Sequence, residues 1–203
     1  RFDDLRKRVH QNLNPKEFPK PHLMTTNYRA TPYLVEAANY ILERHKEVKQ
    51  EQIDVLRTSK AASSSSGSHP GIIRVKDLDE LLGSLGEKGL PNPWCPLIVR
   101  DGGLIEGLKK RLENANVLSI PGSKGLEFEN VVLWDPFSGT DRLIDDYFHH
   151  KKGKVEFNAE GVCLELRHLF VGITRARYRL AIVSMGEYSE PPKICSGTDW
   201  LES

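Results

Sequence analysis

The residues able to do chemistry in this chain fall in three short segments: Asn27-Tyr28-Arg29, Ser123-Lys124-Gly125-Leu126-Glu127-Phe128 and Val171-Gly172-Ile173-Thr174-Arg175-Ala176. Each sets a charged residue or a glycine at the edge of a hydrophobic stretch, where a phosphate-bearing ligand would lie. Gly122-Ser123-Lys124-Gly125 follows the apolar Val117-Leu118-Ser119-Ile120, so it can offer backbone N–H groups and a lysine to an anion. By itself it fits a plain turn between strands equally well. It is not the G-x-x-x-x-G-K-[ST] phosphate loop, whose hydroxyl holds Mg²⁺, and no stretch of the chain has that pattern. Arg175 offers a planar, permanently charged fork, although a lone arginine on a polar helix face is ordinarily a solvated side chain. No metal ligand set is expected. His149-His150-Lys151-Lys152 are adjacent, do not share a face, and have no acidic or cysteine partner at ligand spacing, so they read as a solvated loop. There is no Ser-His-Asp set and no dinucleotide fingerprint, which argues against a free-standing small-molecule enzyme.

Positioning these segments requires a particular order of elements. Residues 2–12 read as an amphipathic helix, ended by the Pro15, Pro19, Pro21 cluster. Leu23 to Thr26 reads as a short strand. Thr31-Pro32 starts a helix whose Leu34, Ala37, Ala38, Ile41 and Leu42 recur at helical spacing up to about Arg44. The Ser-rich stretch 59–70 reads as a flexible loop. Strands are then expected at Gly71–Val75, Cys95–Val99, Val117–Ile120, Asn130–Trp134 and Arg179–Ser184. Helices are expected at Asp77–Leu85, Leu104–Leu112 and Val162–Arg177. On that last helix Arg175 would stand about 200° from Ile173, off the apolar stripe. Alternating apolar strands and amphipathic helices predict an α/β fold with a parallel sheet covered on both faces.

Composition narrows the class. With 203 residues, 38% apolar and 28% charged, the chain suits one globular domain with arms and no membrane span. The formal net charge of +1 gives no global basic field, so any nucleic-acid site must be local. Cys95, Cys163 and Cys195 are few and widely spaced, which predicts reduced thiols in or near the core and a cytoplasmic protein. The chain begins at Arg1 with no secretory pattern after it and is expected to be a piece of a longer protein.

Val117 to Leu133 resembles motif V of the UvrD/Rep/PcrA helicases of superfamily I, T-x-H-x-[AS]-K-G-L-E-F followed by a hydrophobic strand. Glu165 to Ala176 resembles motif VI, E-x-R-R-L-x-Y-V-[AG]-x-T-R-A. Asn27 to Thr31, with Ala37-Ala38-Asn39 in the helix beyond, resembles motif IV. Leu97 to Gly102 resembles the L-x-R-x-N string less closely. The resemblance spans roughly residues 20–185 and implies a second, C-terminal RecA-like (P-loop NTPase-like) motor domain.

That resemblance implies a set of roles. Arg175 and Arg29 would contact the γ-phosphate of ATP held with Mg²⁺ mainly by an N-terminal RecA-like domain of the same protein. Glu127 would lie near the nucleotide sugar and Tyr28 near the adenine, with Lys124 and Gly125 lining the phosphate side. Ser119, Ser123 and Arg100 would meet single-stranded DNA. Residues 1–22 would be an arm from the preceding motor domain, 23–186 the RecA-like domain and 187–203 a tail. The chain would not hydrolyse ATP alone. Two departures point to an altered grip on DNA: Pro121 stands at the motif V histidine and Gly102 at the asparagine. Only a few residues separate the Leu104–Leu112 helix from motif V, so the large inserted subdomain of UvrD and Rep is missing. A degenerate helicase-like scaffold, or the motor of a nuclease-linked or defence ATPase, would fit the same strings.

Overall fold

The structure, a computed structural model, describes residues 26–27, 29–49, 60–61, 71–74, 79–81, 83, 92–100, 102–112, 116–134, 136 and 158–184. The expected N-terminal helix, most of the expected 59–70 loop, the His149 cluster, Cys195, Tyr28 and the tail lie outside these residues; Lys60 and Ala61 of that loop form a strand instead, held by pairing with Thr26 and Asn27.

In chain order the elements are β1 (Thr26–Asn27), α1 (Pro32–Lys49), β2 (Lys60–Ala61), β3 (Gly71–Arg74), β4 (Leu97–Val99), α2 (Ile105–Arg111), β5 (Val117–Ser119), a 3₁₀ turn (Pro121–Ser123), β6 (Phe128–Trp134), α3 (Ala159–Ile173) and β7 (Ala176–Ser184). Among the described residues five strands form one sheet in the order β3-β7-β6-β4-β5, and every neighbouring pair is parallel. β1 and β2 form a separate parallel pair, Thr26 opposite Lys60 and Asn27 opposite Ala61.

The apolar runs are continuous because both faces of the sheet are buried. Val131 and Leu133 of β6 join Ile98, Leu180 and Ile182 on one face, packed against Leu34 and Ile41 of α1 and Val162, Leu166 and Leu169 of α3. Val132 and Trp134 join Leu97, Val99, Ala181 and Val183 on the other, packed against Leu108 of α2 and Leu81. Cys163 belongs to the first core and Cys95 to the second, and both are free thiols. Burial pushes the Cys95 pKa up to about 12, which keeps that thiol protonated and unreactive.

Polar contacts lock the layers at a few points. Arg167 Nε on α3 donates to Nε2 of the buried His45 on α1 at 3.1 Å, so that imidazole nitrogen carries its lone pair. Arg111 pairs with Asp79, and the Thr31 N–H donates to the Arg177 carbonyl at 3.0 Å, tying the start of α1 to β7. Gly172 lets α3 lie close on the sheet: a Cβ there would stand 2.9 Å from Leu133 Cδ1.

Several boundaries differ from the sequence reading: β6 starts at Phe128 rather than Asn130, β7 at Ala176 rather than Arg179 and α3 at Ala159 rather than Val162. α1 runs to Lys49 rather than stopping near Arg44, because its buried face continues through His45 and Val48. α3 ends at Ile173, four residues earlier than expected. Thr174 turns out of the helix at φ −73°, ψ 0°, and the Arg175 N–H returns to the Gly172 carbonyl at 3.1 Å. From Ala176 the backbone pairs with β6, Ala176 opposite Phe128, so sheet pairing overrides helical periodicity. Arg175 is therefore a turn residue, not a helix-face residue. No described helix is long and apolar enough to cross a membrane.

Candidate phosphate-facing site

The three chemistry-bearing segments meet at the N-terminal ends of β6 and β7. The Asn27 side chain builds the first piece: Oδ1 accepts from the backbone N–H groups of Arg29 at 2.8 Å and Ala30 at 3.1 Å. This asparagine turn sets the chain into α1 and aims Arg29 toward the second segment. Arg29 Nη1 forms an ion pair with Glu127 Oε1, and Nη2 reaches the Thr174 carbonyl at 3.5 Å. Residues from all three segments thus touch around one guanidinium.

The loop that carries Glu127 is shaped by its own hydrogen bonds. The Ile120 N–H donates to the Val99 carbonyl at 2.7 Å, anchoring the loop to the end of β4. Ser119 Oγ accepts from the Gly122 N–H in the 3₁₀ turn at 3.0 Å. The buried Ser123 hydroxyl donates to the Ile120 carbonyl at 2.8 Å. Gly125 has φ +88°, a conformation that a side chain would strain, and this bend turns Glu127 back toward Arg29. Lys124 and Leu126 are left exposed on the loop.

Arg175 is held more tightly than Arg29. Its Nε donates to the Val171 carbonyl at 3.0 Å, Nη1 to the carbonyls of Leu126 at 2.8 Å and Ser123 at 3.3 Å, and Nη2 to Thr174 Oγ1 at 3.1 Å. The Thr174 hydroxyl donates its own proton to the Val171 carbonyl at 3.0 Å, leaving a lone pair for the guanidinium. Four of the five arginine N–H groups are thereby directed onto the chain itself. Off the apolar stripe of a helix, where the sequence pattern puts it, Arg175 would face solvent. Arg175 is instead half-buried and pinned, because the turn places it beside the carbonyls of the 121–127 loop. Burial is the main influence lowering its pKa; the Arg29 charge lowers it further and Glu127 opposes both.

The electrostatics of the site favour an anion. Arg29 and Arg175 bring two guanidinium groups to one place against the carboxylate of Glu127. A hollow of about 70 Å³ opens beside Arg29 and Thr174, floored by Leu34, Ala38 and Ile173. Small-molecule sites usually enclose about 300 Å³ or more, so this hollow is not one by itself.

The residues read as nucleic-acid contacts are placed differently. Arg100, just after β4, grips Glu165 of α3 with both ends of its fork, Nε to Oε2 at 2.9 Å and Nη2 to Oε1 at 2.5 Å. Ser123 turns its hydroxyl into the fold. Neither presents a free group to a strand in this arrangement, and the Ser119 hydroxyl is engaged with Gly122. Glu165 and Thr174 are the functional neighbours that the sequence reading left without roles. Glu165 had a detectable signal: it lies three residues after Val162 and one before Leu166, on the apolar stripe, where a carboxylate needs a partner. Among the described residues no cluster of His, Cys, Asp and Glu could hold a metal ion.

No family model matches the chain, and no curated protein matches it either. Among solved structures it is similar to the C-terminal domain of a possible DNA helicase from Lactobacillus plantarum WCFS1, at 15% identity and a TM-score of 0.50. That match covers 86% of this chain and 96% of the other. The chain shares the fold of that domain. At this identity the likeness speaks for the fold, which is the RecA-like α/β class with a parallel sheet between two helical layers. The expected lack of a large insertion agrees with the structure, since only residues 112–116 separate α2 from β5.

Proposed function

We propose that this chain is the second motor domain of a UvrD-type, ATP-dependent DNA helicase or translocase, completing a nucleotide site whose phosphate loop and Mg²⁺-holding acidic residues belong to a first RecA-like domain. One observation carries the reading: Arg29, Glu127 and Arg175, from three distant segments, converge at the surface on the N-terminal ends of β6 and β7. Two guanidinium groups beside one carboxylate form a wall that a partner domain bearing ATP would complete. Arg29 and Arg175 would offset charge on the transferring phosphoryl group, as arginine fingers do. Loss of the γ-phosphate would release them, letting the cleft open and close. Single-stranded DNA would track along the same pair of domains through sequence-blind, salt-sensitive backbone contacts.

The test uses the protein carrying both motor domains. Arg29→Ala is expected to lower kcat for ATP by about 10²-fold or more while thermal stability holds, because Arg29 is surface-exposed and its ion pair adds little to folding. Unchanged ATP turnover would remove Arg29 from the site. The 203-residue chain alone is expected to show no Mg²⁺-dependent ATP hydrolysis in a phosphate-release assay.

A second reading is favoured by Arg100 and Ser123. With the Arg100 fork closed on Glu165 and the Ser123 hydroxyl buried, the domain could serve as a helicase-like scaffold with a weak grip on DNA. ATP turnover unaffected by added single-stranded DNA would favour that reading.

A further inference from the structure

We propose that Glu127 is a placeholder for a phosphoryl group: in the ligand-free chain its carboxylate fills the anion position beside Arg29 and Arg175, and a terminal, dianionic phosphoryl group binds by displacing it from Arg29. This rests on the phosphate-facing reading above and gives Glu127 a role opposite in sign to a contact with a nucleotide sugar.

The two arginines are held unequally. Arg175 directs four N–H groups onto backbone carbonyls and the Thr174 hydroxyl, so it is a fixed cation. Arg29 has one strong partner, Glu127, and a second at 3.5 Å, the limit of a hydrogen bond. The side chains of the pair are 42% and 37% exposed, so water and added anions compete for both partners. Arg29 is therefore the cation that can be drawn away. The ligand must outbid one carboxylate. A terminal phosphoryl group carries a charge of about −2 and offers oxygens to both arms of the fork. A monoanionic phosphodiester brings no more charge than the carboxylate it would replace. The Glu127 charge also lies close enough to act on Arg175, opposing the lowering of its pKa, so both arginines sense the same anion position.

The experiment uses the 203-residue chain and tripolyphosphate, which has terminal phosphoryl groups and no sugar, titrated calorimetrically at low salt without Mg²⁺. Glu127→Gln is expected to bind tripolyphosphate about two- to fivefold more tightly than wild type, the scale of one exposed ion pair removed from competition. Glu129→Gln, which removes an exposed charge two residues away, is expected to leave affinity near wild type. Combining Arg29→Gln with Glu127→Gln should abolish the gain. Unchanged or weaker binding by Glu127→Gln overturns the proposal. So does an equal gain from Glu129→Gln, or a gain that survives loss of Arg29, since either would make the effect one of general charge. All variants lie on the surface, and circular dichroism checks that they fold. The outcome is separable from the motor reading. A tighter Glu127→Gln variant with Arg29→Ala turnover intact keeps the placeholder and removes the motor. The reverse pair of results keeps the motor and removes the placeholder.

Discussion

Replacing Arg175 with alanine in the protein that carries both proposed motor domains is expected to slow ATP turnover by about 10³-fold or more, the scale of a lost arginine finger. That corresponds to about 4 kcal/mol of transition-state stabilisation. The structure supplies a competing account, because Arg175 also braces the 121–127 loop through the carbonyls of Ser123 and Leu126. Each such bond contributes only about 0.5–1.5 kcal/mol to stability. Their loss alone would lower the melting temperature and loosen the loop, with a modest effect on turnover. The two accounts separate in Arg175→Lys, which keeps the charge and loses the planar fork. A finger predicts that lysine recovers little of kcat, since the fork must meet two phosphoryl oxygens. A brace predicts that stability falls in step with turnover in both variants. A kcat within about tenfold of wild type for Arg175→Ala would leave the motor reading without its central residue. The four internal bonds add a further expectation: for Arg175 to meet a phosphate with both arms, Nη1 must leave the loop carbonyls, so nucleotide binding should change protection of the Leu126 amide in hydrogen exchange.

How much of this was legible in the sequence depended on the range of the forces involved. Strands and helices with one buried stripe declare themselves through periodicity, which is why β4, β6, α1 and α3 overlap the ranges expected at Cys95–Val99, Asn130–Trp134, Pro32 to about Arg44 and Val162–Arg177, although their ends differ. Parallel pairing was legible too, because buried strands read as unbroken apolar runs. The end of α3 was not. Residues 174–177 fit a helical pattern as well as an extended one, and only the neighbouring strand β6, which begins at Phe128 and pairs it with Ala176, decides between them. The meeting of Arg29, Glu127 and Arg175 was foreseeable as a convergence, since each stands at the edge of an apolar element. Its internal bonding was not. Whether a surface arginine waits in solvent or folds back on carbonyls depends on distances that spacing does not encode. The small hydroxyls mark the same limit: Ser119 and Ser123 fit a ligand loop on paper, and the 3₁₀ turn uses both to satisfy its own backbone.

Arg100 gives the second large expected effect, and it concerns folding. Glu165 is 5% exposed while Arg100 is 28% exposed, and two hydrogen bonds join them across the C-terminal end of β4 and the middle of α3. Removing one partner from a buried pair leaves an uncompensated charge, which typically costs about 3–5 kcal/mol. Arg100→Ala should therefore shift the urea midpoint of the 203-residue chain strongly downward. A contact to a phosphate of a DNA strand predicts something else: stability is untouched, affinity falls similarly for all sequences, and the salt dependence of binding flattens by about 0.7–0.9 in log–log slope. The double replacement Arg100→Leu with Glu165→Leu adds the decisive comparison. If the arginine serves the carboxylate, the apolar pair should recover much of the stability lost by Arg100→Ala, since buried ion pairs gain little over well-packed hydrophobic residues. His168 Nδ1 stands 3.9 Å from Glu165, beyond hydrogen-bonding distance, so it replaces the arginine poorly unless it moves and is protonated. A stable Arg100→Ala variant with weakened DNA binding would return Arg100 to the nucleic-acid face and open the Glu165 pair during the motor cycle. An unstable one assigns it to holding α3 against the sheet, the element whose end sets Thr174 and Arg175 beside Arg29 and Glu127.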